Sequence, residues 1–198
     1  MMAWVLVGAL SFSACSKEDD PTPELSGDSM LTMKVDGQAW SATVTSMWTE
    51  KDEDDSGEFY HVAIGAHRED GRGEDFADVI QMYMIVPASD FQNPKGRYPI
   101  SLRPVGMRDH ATAVFASTGD TWVSRHLADN TQAVGFMEIT DYKIGEQNVA
   151  GQPSGIQGYT RLSGTFNVDL MSTNNPSGPT LKITDGKFNV QVGIMITD

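Results

Sequence analysis

The chain contains very little cysteine, since Cys15 is the only one among 198 residues. A single cysteine cannot form a disulfide within the chain, so no internal cross-link stabilises the fold. The folded part must therefore depend on a hydrophobic core, and any role of Cys15 depends on its thiol.

Basic residues are also scarce, with 14 Lys and Arg against 27 Asp and Glu and a formal net charge of −13. Such a chain repels polyanions, so nucleic acid is not an expected partner. The acidic balance suits solubility, cation binding, and neutral or basic partners.

A specific catalytic pattern is absent as well. The serine-nucleophile pattern G-x-S-x-G does not occur, and no pair among the many carboxylates is marked out for glycoside hydrolysis. An extracellular hydrolase that acts on a polymer through acidic-loop carboxylates such as Asp52, Asp54 and Glu74 is therefore the alternative hypothesis.

The N-terminus carries the clearest signal. Residues 1–14 contain no charge, and the apolar run 3–10 has the length of a signal-peptide core. It is too short for a membrane-spanning helix, which needs ~20 apolar residues. Small residues precede Cys15, as a signal peptidase requires. We predict a lipoprotein signal peptide over 1–14 and a lipid on Cys15. Residues 15–28 are acidic and contain prolines, and are expected to form a flexible tether.

This arrangement resembles the lipobox of bacterial lipoproteins, in which the peptidase cuts before the cysteine that then carries the lipid. Phe12 stands where leucine is usual, and no Lys or Arg precedes the apolar run, which is compatible with a start codon upstream. A cysteine followed by Ser16, Lys17 and several acids is similar to the surface-export signal of Bacteroidota lipoproteins. The resemblance implies an outer-membrane lipoprotein that faces outward; the alternative is a solvated linker in the periplasm.

The remaining residues, 29–198, are patterned as one β domain. Within 29–48, apolar residues alternate with polar ones around Asp36-Gly37, a type I′ turn signal. That turn predicts the pairs Val35–Gln38, Met33–Trp40 and Leu31–Ala42. Trp40 is assigned to the core, as are Phe166 and Phe188.

About ten short strands, with no uninterrupted helical stripe, predict an antiparallel β-sandwich. A closed lipocalin-like barrel is the alternative. Expected elements include strands at 59–67, 79–86 and 132–142, an edge strand at 96–100, a hairpin of 111–116 with 121–125, and loops at 50–58 and 143–158. Near the C-terminus the inward parity changes across Asp185-Gly186, which predicts a bulge or tight turn there.

Three blocks, 33–42, 162–168 and 183–190, are similar to a group of small Bacteroidota lipoproteins of uncharacterised function. The blocks contain the sequences VDGQAW, SGTF and TDGKF. They bracket most of the mature chain, whereas the middle third matches poorly. The resemblance implies a fold and a location, and it supplies no catalytic residues.

The acidic stretch 52–57 fits the start of a calcium loop, D-x-D-x-S-G, because calcium prefers six to eight hard oxygen ligands. The first ligands to consider are Asp52, Asp54, Ser56 and Glu58. The twelfth position is Ala63, where a bidentate Glu belongs, and the flanks are patterned as strands. A solvated hairpin tip is therefore the competing interpretation.

Other candidate site residues are aromatic. Trp48 and Trp122 stand near strand ends and are candidates for stacking on sugar rings, although packing is the commoner role of an aromatic residue. The four histidines, at positions 61, 67, 110 and 126, are expected at the surface. The main functional hypothesis is a membrane-anchored, non-catalytic domain that binds a glycan or an envelope protein.

Overall fold

The computed structural model describes residues 29–69, 76–94, 96–101, 109–117, 119–124, 133–147 and 156–191, which form ten strands. The strands are β1 (Met30–Val35), β2 (Gln38–Asp54), β3 (Gly57–Glu69), β4 (Phe76–Pro87), β5 (Arg97–Ile100), β6 (His110–Ser117), β7 (Asp120–Val123), β8 (Gly135–Gln147), β9 (Ile156–Ser172) and β10 (Leu181–Gln191). One 3-10 turn, Ala88–Asp90, is the only helical segment in these ranges. No described helix has the length and apolar character needed to cross a membrane.

The strands form a single mixed sheet that returns on itself. Its ladders join nine strands in the order β1, β2, β3, β4, β6, β5, β8, β9, β10 and again β1, while β7 pairs with β6 and β9. All ladders are antiparallel except that between β5 and β6. The predicted sandwich-like, all-β fold is confirmed. A lipocalin-like barrel would instead pair each strand with its successor along the chain.

The first hairpin has the predicted register. Val35 pairs with Gln38 and Met33 with Trp40, and the turn residues have the positive φ values, 47° and 80°, of a type I′ turn. Trp40 is buried as predicted, and its Nε1 donates a hydrogen bond of 3.0 Å to Asp78 Oδ2. Asp78 is also paired with Arg68. The buried indole N–H is thereby satisfied.

On β9 and β10, two aromatic rings pack on two glycines. Phe188 pairs with Gly164, and Phe166 with Gly186. A Cβ at either glycine would lie 2.6 Å from the ring of its partner. Both rings are buried, as predicted. The ladder shifts register before Gly186, where Asp185 has a φ of 53°, which confirms the predicted change of parity.

An aromatic cluster fills the end of the core near the 3-10 turn. Phe91 stacks on Tyr60 at 3.8 Å and contacts Tyr159 at 5.0 Å between ring centroids. Tyr159 is fully buried, its hydroxyl donates to the Phe91 carbonyl at 2.9 Å, and its backbone N–H donates to Thr49 Oγ1 at 3.3 Å. The last contact joins β9 to β2 across the core. Burial, assisted by the neighbouring tyrosines, raises the pKa of Tyr159 well above its ordinary 10.0.

Of three further predictions about single strands, one about the end of a strand and one about an edge position are wrong, and one about a hairpin is confirmed. The strand predicted at 132–142 is β8, which continues through Gln147, so the predicted loop from 143 is too long. A register shift at Thr140 interrupts the alternation along β8 and brings Tyr142 and Ile144 against the core. The predicted edge strand at 96–100 is β5, which has neighbours on both sides, β6 and β8. The predicted hairpin of β6 and β7 is confirmed by the pair Ser117–Asp120.

Candidate functional site

A β-bulge in β2 decides the direction of Trp48. The ladder between β2 and β3 shifts register between Val44 and Ser46. Val44 belongs to the core before the shift and Met47 belongs to it afterwards. Because side chains alternate along a strand, Trp48 takes an outward position, where it is half-buried.

The bulge is held by a set of polar contacts. Thr45, the extra residue, donates a hydrogen bond of 3.4 Å to the Gly65 carbonyl, and its Oγ1 lies 3.1 Å from His67 Nδ1. A Cβ at Gly65 would lie 2.6 Å from Ser46 Oγ. Glycine at this position therefore leaves the space that the Ser46 side chain occupies.

The register places a second aromatic residue on the same line as Trp48. Trp48 pairs with Ala63 on β3, and Ala63 pairs with Tyr83 on β4. Core positions alternate with these three, because Met47, Ile64 and Met82 all belong to the hydrophobic core. We call Trp48, Ala63 and Tyr83 the aromatic row.

Solvent exposure differs along this row. Tyr83 is 37% exposed and is the only large hydrophobic side chain in the described ranges that is classed as exposed. Ala63 is only 5% exposed although it points outward, which we attribute to the large side chains on either side. The Tyr83 hydroxyl donates to Gln81 Oε1 at 3.1 Å, so its ring leans along β4. The row thus presents two rings above a small covered residue.

The rows on either side complete the site. One consists of Ser46, Gly65 and Gln81, and the other of Glu50, His61 and Ile85. We call these six residues together with the aromatic row the aromatic face. Glu50 and Gln81 are exposed, whereas Ile85 is buried. The face therefore combines exposed hydrogen-bonding side chains with aromatic rings.

Beyond this face lies the acidic end of the β2–β3 hairpin. The predicted loop at 50–58 is shorter than expected, because β2 runs to Asp54 and β3 starts at Gly57. Lys51 Nζ donates to Glu58 Oε1 at 2.6 Å, and this hydrogen bond raises the pKa of Lys51 above its ordinary 10.5. Lys51 and Glu58 face each other diagonally across the two strands and so favour this cross-strand pairing.

The four candidate calcium ligands all lie at this exposed hairpin tip. Asp52 Oδ2 lies 3.4 Å from His61 Nε2, and Asp54 Oδ1 accepts from the Ser56 backbone N–H at 2.8 Å. Glu58 is engaged by Lys51. Within the described ranges, no three His, Cys, Asp or Glu side chains are arranged to hold a metal ion. Calcium binding stays a prediction.

Trp122 lies apart from the aromatic face. It is half-buried on β7, packs against the hydrophobic core, and lies 6.0 Å from the Phe115 ring. The two tryptophans proposed from sequence therefore differ in position. Trp48 is on an outer face and is not among the partly buried residues packed on the core, whereas Trp122 is.

Several predicted residues cannot be placed in the same way. Cys15, Glu74 and His126 lie outside the described residues, as do the predicted signal peptide and the tether up to residue 28.

The described histidines differ in their exposure, and His61 and His67 are half-buried. The expectation of a surface position is wrong for His110, which is 2% exposed opposite Ile85 at the start of β6.

The chain matches no known protein-family model, no curated protein and no solved structure. Any proposal for the aromatic face therefore depends on the geometry of the face itself.

Sequence reasoning missed Tyr83, although the alternation along β4 carried a signal for it. In β4 the even positions 80 to 86 are uniformly apolar, whereas Gln81 and Tyr83 occupy odd positions, which is the pattern of an outward face.

Proposed function

We propose that this protein is a lipid-anchored envelope lipoprotein whose β domain binds a glycan, without catalysis, through the aromatic face. The observation that carries the binding part is the aromatic row, in which an exposed tyrosine and an outward tryptophan flank an alanine on adjacent strands. The anchor is supported by the sequence around Cys15 alone.

Aromatic side chains suit this role for physical reasons. The C–H groups on one face of a sugar ring are apolar and pack on an aromatic ring, while the hydroxyls at the ring edge need polar partners. Trp48 and Tyr83 supply the rings, and Gln81 and Glu50 supply exposed polar groups beside them. Two rings with few rotatable bonds also lose little conformational entropy on binding.

Binding can be tested with the full chain, purified in detergent, on a glycan array and by calorimetry with the glycans that give a signal. We expect Trp48→Ala and Tyr83→Ala each to weaken binding about tenfold, or ~1.4 kcal/mol. Phe136→Ala is the matched control, because Phe136 is a half-buried aromatic on β8, where it packs under Arg97. A chain that binds no glycan, or whose Trp48 and Tyr83 variants bind as the parent does, would refute the proposal.

The anchor has a separate test. Cells that express the protein are labelled with an alkyne-bearing fatty acid, and the label is expected on the parent chain and absent from Cys15→Ala. An unlabelled parent chain would overturn the lipid anchor while leaving glycan binding intact.

The hydrolase alternative gains no support from the described residues. Asp52 and Asp54 are exposed at the hairpin tip, and Glu74 lies outside the described ranges. It stays a prediction from sequence.

A further inference from the structure

We infer that the glycan is a neutral, extended, β-1,4-linked chain that lies across β2, β3 and β4 with alternate sugar rings on Trp48 and Tyr83. This inference rests on the proposed function and specifies the linkage, the charge and the direction of the ligand.

The first argument concerns shape. Between the two rings, β3 contributes only the buried Ala63, with the buried Gly65 in one flanking row and the half-buried His61 in the other. No β3 side chain larger than the Ala63 methyl group therefore stands between Trp48 and Tyr83 in the aromatic row. A surface of this kind accepts a flat ribbon, whereas a curved or helical glycan would contact one ring and leave the other.

The second argument concerns distance. Trp48 and Tyr83 are two strands apart in one row, which separates their backbones by about 10 Å. In an extended β-1,4-linked glycan each sugar is rotated by half a turn relative to the last, so alternate sugars present the same face. The distance from one sugar to the second sugar along the chain is close to that separation of the two backbones. A sugar over Trp48 and the second sugar along would thus both stack, with the one between them above Ala63.

The third argument concerns the edges of the ribbon. A ribbon across the strands directs its equatorial hydroxyls along the strands, towards the two flanking rows. Gln81 and Ser46 lie on one side, and Glu50 lies on the other together with His61 and the buried Ile85. Amide, hydroxyl and carboxylate groups are suitable partners for sugar hydroxyls.

Charge then selects among flat glycans. Glu50 lies beside Trp48, and the hairpin continues into Asp52 and Asp54. The neighbouring cation Lys51 is paired with Glu58. With a formal net charge of −13 for the chain, uronic-acid or sulfated glycans are repelled and a neutral chain is not.

The test is calorimetry of the full chain with β-1,4-linked gluco-oligosaccharides of increasing length, compared with α-1,4-linked oligosaccharides of equal length and with a β-1,4-linked polyuronate. We expect affinity to rise about tenfold between the disaccharide and the tetrasaccharide, because only the longer ligand reaches both rings. Tyr83→Ala should abolish that rise and retain disaccharide binding. The α-linked and anionic ligands should bind at least tenfold more weakly.

A double substitution tests the spacing directly. Gln81→Tyr combined with Tyr83→Gln keeps the composition of β4 but moves the ring one row along the strand, about 7 Å. We expect it to lose the rise with length as Tyr83→Ala does; retention would overturn the geometry. If other glycans bind through Trp48 and the β-1,4-linked series does not, the inference fails and the proposed function stands. If sedimentation shows that the face instead joins two copies of the chain, both fail.

Discussion

The two outer surfaces of this sheet are built from opposite kinds of residue. On β2, β3 and β4 the outward positions include Trp48, Ala63 and Tyr83. On β8, β9 and β10 they are mostly polar, although Phe136 is aromatic, and several of them interact with one another. Ser163 Oγ donates to Asn189 Oδ1 at 2.8 Å, and Arg161 pairs with Asp141 at 2.6 Å.

The difference shows which of the two surfaces can still gain free energy by binding a partner. The four polar side chains just named on the β8–β10 surface already engage one another, so they have less to gain from a partner. Exposed aromatic area does gain by leaving water. The inner sides of both surfaces belong to the same core, so the contrast arises only from the outward residues and the bulge that directs them.

The largest effect on stability is expected from reversing the alternation that this bulge sets. Insertion of one alanine between Ser46 and Met47 would turn Trp48 and Glu50 inward and Met47 outward. Burial of a carboxylate and loss of a core methionine should cost more than ~4 kcal/mol of unfolding free energy, or prevent folding.

Urea unfolding measures this change. Thr45→Ala is the control, because it keeps the extra residue and loses only its hydroxyl contacts, at a cost of about 1 kcal/mol. An insertion variant as stable as this control would show that the alternation set by the bulge does not fix the direction of Trp48.

This bulge and the one on β10 differ in how well sequence could reveal them. Around Asp185 the apolar pattern is regular on both sides, so the change of parity is visible. After Thr45 it is not, because Met47 and Trp48 are both apolar and the next inward residue is Thr49. Thr49 is fully buried and accepts the Tyr159 backbone N–H. A polar core position of that kind depends on a contact 110 residues away.

The second prediction concerns the inner support of the β8–β10 surface. Gly164→Ala would place a Cβ 2.3 Å from the Glu138 carbonyl oxygen as well as against the Phe188 ring. Because backbone must move, we expect a loss of about 3 kcal/mol in unfolding free energy. Gly96→Ala is the matched control, since no atom lies within 4 Å of the added Cβ. Equal stability of the two variants would contradict the close packing.

The candidate site was predictable only in part, and the reason is again non-local. Trp48 could be proposed from its position near the hairpin, but its partner Tyr83 lies two strands away. Their alignment requires the registers of two ladders, and the register between β2 and β3 depends on the bulge. The first hairpin needed no such information, because its turn residues and its alternation specify the same pairs.

The third prediction concerns the end of the core where β2 and β9 meet behind these surfaces. Tyr159→Phe removes the hydrogen bond to the Phe91 carbonyl and should cost about 1 kcal/mol at neutral pH. The pKa of Tyr159 is raised in the folded state. Its contribution to the free energy of unfolding is therefore complete at pH values below the pKa of the tyrosine in the unfolded chain. It is lost as pH rises above about 10, where the unfolded tyrosine ionises first.

The alkaline decline in stability should therefore be shallower in Tyr159→Phe than in the parent chain, as measured by urea unfolding from pH 8 to 11. Tyr142→Phe is the control, because that half-exposed hydroxyl donates to the Gln92 carbonyl at 3.0 Å. If both variants show the same pH dependence as the parent chain, burial of Tyr159 does not govern it.

The smallest effect on stability is expected for a substitution at the hairpin tip beyond the aromatic face. Glu58→Gln removes the charged acceptor of Lys51, so the pKa of Lys51 should fall towards its ordinary 10.5. Nuclear magnetic resonance titration of the lysine side chain measures this shift, and stability should change little because the pair is exposed. Glu146→Gln on β8 is the control and should leave Lys51 unaffected. If the Lys51 pKa stays raised in Glu58→Gln, the remaining acids of the tip cause the shift. The local negative field that disfavours anionic glycans then arises from those acids as well.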